Sequence, residues 1–456
     1  MDSLRFSLRP FVRLVVCASL CILGLAVSVH AGLLGGGNQR AVGGVIIDGS
    51  GIVRDANVEE KRELAEMLRA QMDAIGGDLQ QADEMRMISL SGLQNAITAA
   101  AGKPLPAEIA FLAGLQRVEY VLVDSENNDI VIGGPAEPWT VREDGSVVGA
   151  VSGHPTMRLA DLAVAMRGLE QASAEGISCS IEPTPEGRRK LQQLLRGVKL
   201  RPGQNPAAME ESMKLAFGPQ MIHLTGVPTD SRYARTMVAA DFEMKRVAMG
   251  LTRSGVDDLP SYIAMSRNAA HGAGQNPRWW MACDYEELTR SEDGMAWKMS
   301  GNRIKTMTEQ DLIDQNGAAK GSGKQDKLAQ AWADRMNSNL DKLSVQMPIF
   351  GELQNVMDMT VLATLIRQEG LAQKAGLDLS VLKGDDSPVK LASYEVPRSV
   401  APQCSFIRGR KGWIVTASGG VDINAFEVVE KQRVDDSISE KTDAKLASKS
   451  DRWWWN

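Results

Sequence analysis

One stretch limits the folds open to this chain more than any other: Ile109 to Trp139, IAFLAGLQRVEYVLVDSENNDIVIGGPAEPW. It reads as a short helix, a strand from Val118 to Val123, a polar turn from Asp124 to Asn128, and a second strand from Asp129 to Gly133. A sharp exit follows through Gly133, Gly134 and Pro135. Val118, Val121, Leu122, Val123, Ile130, Val131 and Ile132 leave both faces of this hairpin apolar, so neither face suits contact with water. Other parts of the chain must cover it on two sides.

Around the hairpin, strand and helix signals alternate. Gly43 to Val53 reads as two short strands about an Asp48-Gly49 turn. Asn57 with Glu60 forms a capping box for a helix carrying Leu64, Leu68 and Met72. Met85 to Leu90 reads as a strand and Ser91 to Ala101 as a helix. Thr156 is placed to cap a helix that Gly176 closes, Ile177, Cys179 and Ile181 alternate as a strand, and Thr184-Pro185 starts another helix. In the longest helix, which begins at Asp230 or Ser231, Tyr233, Met237, Ala240, Met244, Val247 and Leu251 form one apolar stripe. Trp279 to Glu287 and Gly294 to Met307 read as strands, and Thr308 to Asp311 as a helix start. Helices follow over Leu328 to Leu343 and Leu353 to Ala375, then strands over Val396 to Val429.

The pattern predicts an α/β or α+β fold of two domains, with mixed sheets covered by amphipathic helices. The boundaries are a signal peptide at 1–31, a flexible leader at 32–42, an N-terminal α/β domain at 43–200, a linker at 201–206 (Arg201-Pro202-Gly203-Gln204-Asn205-Pro206), a C-terminal α+β domain at 207–430, and a disordered tail at 431–456.

Arg5, Arg9 and Arg13, an apolar run from Leu14 to Val29, and Val29-His30-Ala31 are the parts of a signal peptide cleaved after Ala31; the alternative is a retained signal anchor. No later run is long and apolar enough to cross a membrane. Maturation leaves 48 basic and 56 acidic side chains, net −8, which argues against nucleic acid or anionic lipid as the main partner. Three cysteines remain, Cys179, Cys283 and Cys404, enough for at most one internal disulfide. The 22 methionines read as core packing between helices.

Catalytic signals are sparse. The mature chain has three histidines, His154, His223 and His271, and no zinc-protease helix, serine nucleophile elbow or paired-cysteine metal motif. Ala318 to Gln325 approaches a phosphate-binding loop but has Gln325 where a magnesium-holding hydroxyl belongs, and reads as a loop. No cofactor is implied. His154 and His271 sit in turns. His223, close to Asp230 and Ser231, offers the ingredients of a serine hydrolase. Arg232, Arg235 and Arg246, outside the apolar stripe, form with Asp241 and Lys245 a solvated, salt-bridged helix face or the wall of a polar groove where this helix crosses the central sheet. Asp124 and Asp129 read as turn formers or as calcium ligands, without a twelve-residue calcium loop. Trp453, Trp454 and Trp455, ending the charged tail, read either as a tail folded back onto its own protein or as a peptide that docks onto an envelope protein partner.

Six segments, FLAGLQRVEYVLVDSENNDIVIGGPAEPW, SGHPTMRLADLAVAMR, CSIEPTPEGRRKLQ, GVPTDSRYARTMVAADFEMKRVAMG, RSEDGMAWKMSG and FIRGRKGWIVTASGGVD, resemble in order a planctomycete secreted family known as a domain of unknown function, number fifteen ninety-eight. The resemblance runs from about Gly43 to Val429 and implies an address outside the cytoplasm; it implies no activity, fold or catalytic residue. The reading the residues favour is a secreted envelope scaffold or binding module without enzymatic activity. The alternative is an extracytoplasmic hydrolase with its site near His223, Asp230 and Ser231.

Overall fold

The computed structural model describes residues 41–72, 75–197, 209–267, 277–316, 318–384, 387–402, 405–409, 412–416 and 418–456. The signal peptide, the 201–206 linker, His271 and Cys404 lie outside them. The fold is α+β, with two large mixed sheets and a layer of helices between and around them.

The smaller sheet of seven strands contains the central hairpin, Tyr120–Asp124 and Asp129–Ala136, paired in register from Tyr120 opposite Gly133 to Asp124 opposite Asp129. Val121, Val123, Ile130 and Ile132 point into the main core. Leu122 and Val131 face the other way, onto Met87, Ala296, Ile438 and Trp455. Both apolar faces are therefore covered, and the second cover comes from the end of the chain.

That end is ordered, contrary to the disorder its composition predicts. Gln432–Val434 pairs with Leu288–Arg290 on one edge of the sheet, helix Ser437–Ala447 crosses the face, and Trp454–Trp455 pairs with Asp83–Ser89 on the opposite edge. The helix presents Ile438, Thr442 and Leu446 at a spacing of four, a narrow stripe sufficient for one sheet face. Trp454 and Trp455 are 5% and 4% exposed. Gly92 is required at its position, since a Cβ there would stand 2.8 Å from that of Trp453.

The larger sheet of ten strands takes Val45–Ile47, Ile52–Asp55 and Ile177–Pro183 from before the 201–206 segment, and Gln220–Thr225, Pro277–Asp284, Arg303–Ile313 and Ser418–Ile423 from after it. Strands from both sides of that segment also share the seven-stranded sheet. A domain boundary there would cut through both sheets. Ala41–Val42, assigned to the flexible leader, is a buried strand paired with Val45–Ile47.

Helix Arg232–Met249 is buried nearly all round, and so is helix Pro348–Gln368 in the core. The Asn57–Glu60 capping box and the Ser231 cap form as the sequence predicts. Three local readings fail. Helix Leu159–Glu175 begins after Thr156 and has no side-chain cap. The strand Arg303–Ile313 runs through Thr308–Asp311, because pairing with Pro277–Trp280 outweighs the local helix-start signal. Ala425–Glu430 is a helix within the span read as strands. Cys179 and Cys283 are free thiols. Among the described residues, no helix is long and apolar enough to cross a membrane.

Candidate functional site

The three hydrolase candidates do not form one relay. Ser231 Oγ donates to the Pro228 carbonyl at 2.6 Å and accepts from the Ala234 N–H at 3.1 Å, so its hydroxyl serves as a helix cap. Asp230 Oδ2 accepts the Ser393 hydroxyl at 2.7 Å. His223 is exposed on its strand opposite Ser180, and among the described residues no hydrogen bond joins it to Asp230 or Ser231.

Asp230 instead lines a polar cavity of about 400 Å³ with Thr229, Ser393, Tyr394, Glu395 and Arg398. Its rim is held by backbone bonds: Tyr394 N–H to the Asp230 carbonyl at 2.8 Å, and Arg398 N–H to the Gly51 carbonyl at 2.8 Å. Behind Tyr394, the Arg235 guanidinium stacks 4.7 Å from the ring centroid and donates to the Glu395 carbonyl at 3.2 Å. Burial brings Arg235 down to about 10.

Deeper still, Arg232 bridges Asp161 at 2.7 Å and Glu352 at 2.6 Å, with Arg158 3.8 Å from Glu352 and stacked on Phe111. Burial raises Asp161 and lowers Arg158 to about 10, against the opposing pull of their partners. Arg246 bonds Asp55 at 2.5 Å and Thr252 at 2.9 Å. The face expected to be solvated is thus mostly interior: Arg235, Asp241 and Lys245 are buried, and Lys245 donates to Asp241 and to the Ile181 carbonyl. The arginines position structure around the cavity. Arg235 stacks on the cavity-lining Tyr394, and Arg232 lines a smaller pocket with the same tyrosine.

The calcium reading of Asp124 and Asp129 fails for a specific reason. The Lys449 ammonium sits 3.4 Å from Asp124 and 3.0 Å from Asp129, so a cation from the chain's own end holds the place. Asp129 also accepts from the Ser89 hydroxyl at 2.5 Å and the Ser91 N–H at 2.9 Å. Among the described residues, no group of three or more His, Cys, Asp or Glu is placed to hold a metal ion. Trp454 and Trp455, read as docking groups, are buried in the chain's own sheet, while Trp453 packs part-buried against the core.

Sequence reasoning missed a second constellation. His154 Nδ1 lies 3.0 Å from Ser344 Oγ, and its Nε2 lies 3.4 Å from Asp341 Oδ1. The residue types are those of a hydrolytic triad, but the accessibility is inverted: Ser344 is fully buried and donates to the Asp341 carbonyl, while the Asp341 side chain is exposed. A substrate cannot reach that hydroxyl. Beside it the buried Glu137 accepts from the Val151 and Ser152 N–H groups, the Ser152 hydroxyl and the Gln116 amide. This clamp fastens the 151–154 turn. With 190 residues between His154 and Ser344, no local pattern could announce the contact.

Fold and site together define an α+β protein with a polar cavity above a helix of buried arginines. Residues 179–262, which carry that helix, match the model of a family described as protein of unknown function (DUF1598). The match is shorter than the Gly43 to Val429 span of the resemblance. No curated protein and no solved structure matches the chain.

Proposed function

We propose that this is an exported envelope protein acting as a non-enzymatic binding module, with the cavity over Asp230 as its ligand site. The observation that carries this reading is the cavity itself: about 400 Å³ lined by Asp230, Glu395 and Arg398, with the neighbouring Ser231 hydroxyl committed to a helix cap. Carboxylates and a guanidinium on one wall suit a small polar solute bearing both amino and carboxyl groups. A hydrolase would need Ser231 to give up both cap bonds. Partner docking through Trp453, Trp454 and Trp455 would need the terminal strand to leave its sheet, so ligand contact is assigned to the cavity instead of the tail.

The address rests on the basic start, the apolar run and Ala31, and a planctomycete envelope follows from the resemblance. Sequencing the N-terminus of the native protein is expected to read from Gly32; a chain starting at Met1 overturns export by cleavage. For the cavity, thermal-shift measurements against free amino acids should show stabilisation that Asp230→Asn and Arg398→Ala abolish. No shift with any of them, or shifts that survive both substitutions, removes the cavity reading.

A further inference from the structure

The ten-stranded sheet has a second face that the cavity reading does not use. Ile177, Cys179, Ile181, Trp279, Met281, Val421 and Ile423 point inward to the core, where helices Arg232–Met249 and Lys327–Ser338 pack on these strands. The alternate residues point outward. Register places His223 opposite Ser180, Ser180 opposite Gly420, Gly420 opposite Trp280, and Trp280 opposite Met307, one continuous row across five strands. The adjoining row is Thr225, Ser178, Asp422, Ala282 and Lys305.

Three properties of this face narrow its occupant. Trp280 is half-buried, and its neighbour in the row is a glycine that can take no side chain, since a Cβ on Gly420 would stand 2.2 Å from the Cys179 carbonyl oxygen. The flank of the indole therefore stays low and flat. Next to it lie hydrogen-bonding groups: Ser180, His223, and the Ser178 and Thr225 hydroxyls bonded to each other at 2.8 Å, with the Asp422 carboxyl beside Ser178 in the adjoining row. Charges toward the rim are paired, Arg278 with Glu182 at 3.3 Å and Lys305 with Asp284 at 3.5 Å. A face with its cations already neutralised, on a chain of net charge −6, offers nothing to a polyanion.

From this we infer that the face binds a neutral polysaccharide. The C–H face of a pyranose lies against the Trp280 ring, and ring hydroxyls exchange hydrogen bonds with Ser180, His223 and Thr225. Neighbouring strands are spaced by about 4.8 Å, close to the length of one sugar unit, so successive units meet successive strands. A second copy of this chain would bury the hydroxyl row against itself without matched partners, which disfavours a sheet-on-sheet dimer.

The test is co-sedimentation of the full chain with insoluble cellulose and chitin. Binding to at least one is expected, weakened roughly tenfold or more by Trp280→Ala and by Ser180→Arg, and partly restored in Trp280→Phe, which keeps an aromatic face. Asp230→Asn should bind as the native chain does, which separates this face from the cavity. Circular dichroism melting of each variant guards against misfolding, and the half-exposed Ser180 site provides a test independent of the indole. Failure to bind either polysaccharide, binding indifferent to both Trp280→Ala and Ser180→Arg, or a dimer that Trp280→Ala dissociates in the absence of polysaccharide binding would each overturn the inference.

Discussion

Glu243 and His154 respond to pH in opposite directions. Burial, with Asp55 adding to it, raises Glu243 to about 7, and Arg246 only partly offsets this. A carboxyl raised on folding contributes stability that is fully present below its unfolded value, and that stability is lost as pH rises through the folded one. Glu243→Gln should therefore flatten the decline between about pH 4.5 and 7; urea titrations at pH 5 and 8 check this, and an unchanged difference between them contradicts it. His154 is depressed, chiefly by burial and secondarily by Arg303, against Asp341 and Glu137. Its contribution is present above 6.5 and is lost as pH falls through the folded value, a loss that His154→Gln should remove. Arg232→Met removes the cation hydrogen-bonded to buried Asp161 and Glu352, leaving only Arg158 at 3.8 Å from Glu352, and should cost about 3–5 kcal/mol in urea unfolding. The arginine's charge was legible in the sequence but its burial was not, because its two partners stand 71 and 120 residues away.

At the scale of elements, the hairpin was readable and its cover was not. Two apolar faces on Tyr120–Asp124 and Asp129–Ala136 demanded two covers, and local alternation is enough to see that. The cover is helix Ser437–Ala447, whose stripe holds only Ile438, Thr442 and Leu446 among charged residues, a pattern that composition assigns to disorder. Only the sheet beneath makes it a helix worth forming. Trp455 extends the same cover, and Trp455→Ala should cost about 3–5 kcal/mol by equilibrium unfolding, the usual range for emptying a buried tryptophan site. A cost below about 1 kcal/mol would mean that the strand is not held as described. The same contrast explains the Asp230 cavity: Asp230 was visible as a candidate, but Ser393 to Arg398, the rest of the wall, carries no motif of its own.

For the whole molecule, sequence order and spatial order diverge. Composition marks 201–206 as a linker, yet Ile177–Pro183 and Gln220–Thr225 on its two sides are hydrogen-bonded neighbours from Pro183 opposite Gln220 to Ser178 opposite Thr225. A linker signal reports local flexibility and says nothing of which strands pair later. Separately expressed halves, 43–200 and 207–456, should each fail to show a cooperative melt, since each lacks strands from both sheets. A half that melts cooperatively alone would restore an independent domain.

The central claim is that the chain's end closes the sheet containing the hairpin, with Trp454–Trp455 on the outer edge of Asp83–Ser89. Hydrogen exchange on the full chain and on a version ending at Asp451 measures it directly. Faster exchange of the amides in Asp83–Ser89 and a lower melting temperature in the shortened chain are the predicted results. Identical exchange along that strand in both would show that the tryptophans do not form this edge, and the account of the fold would fail with it.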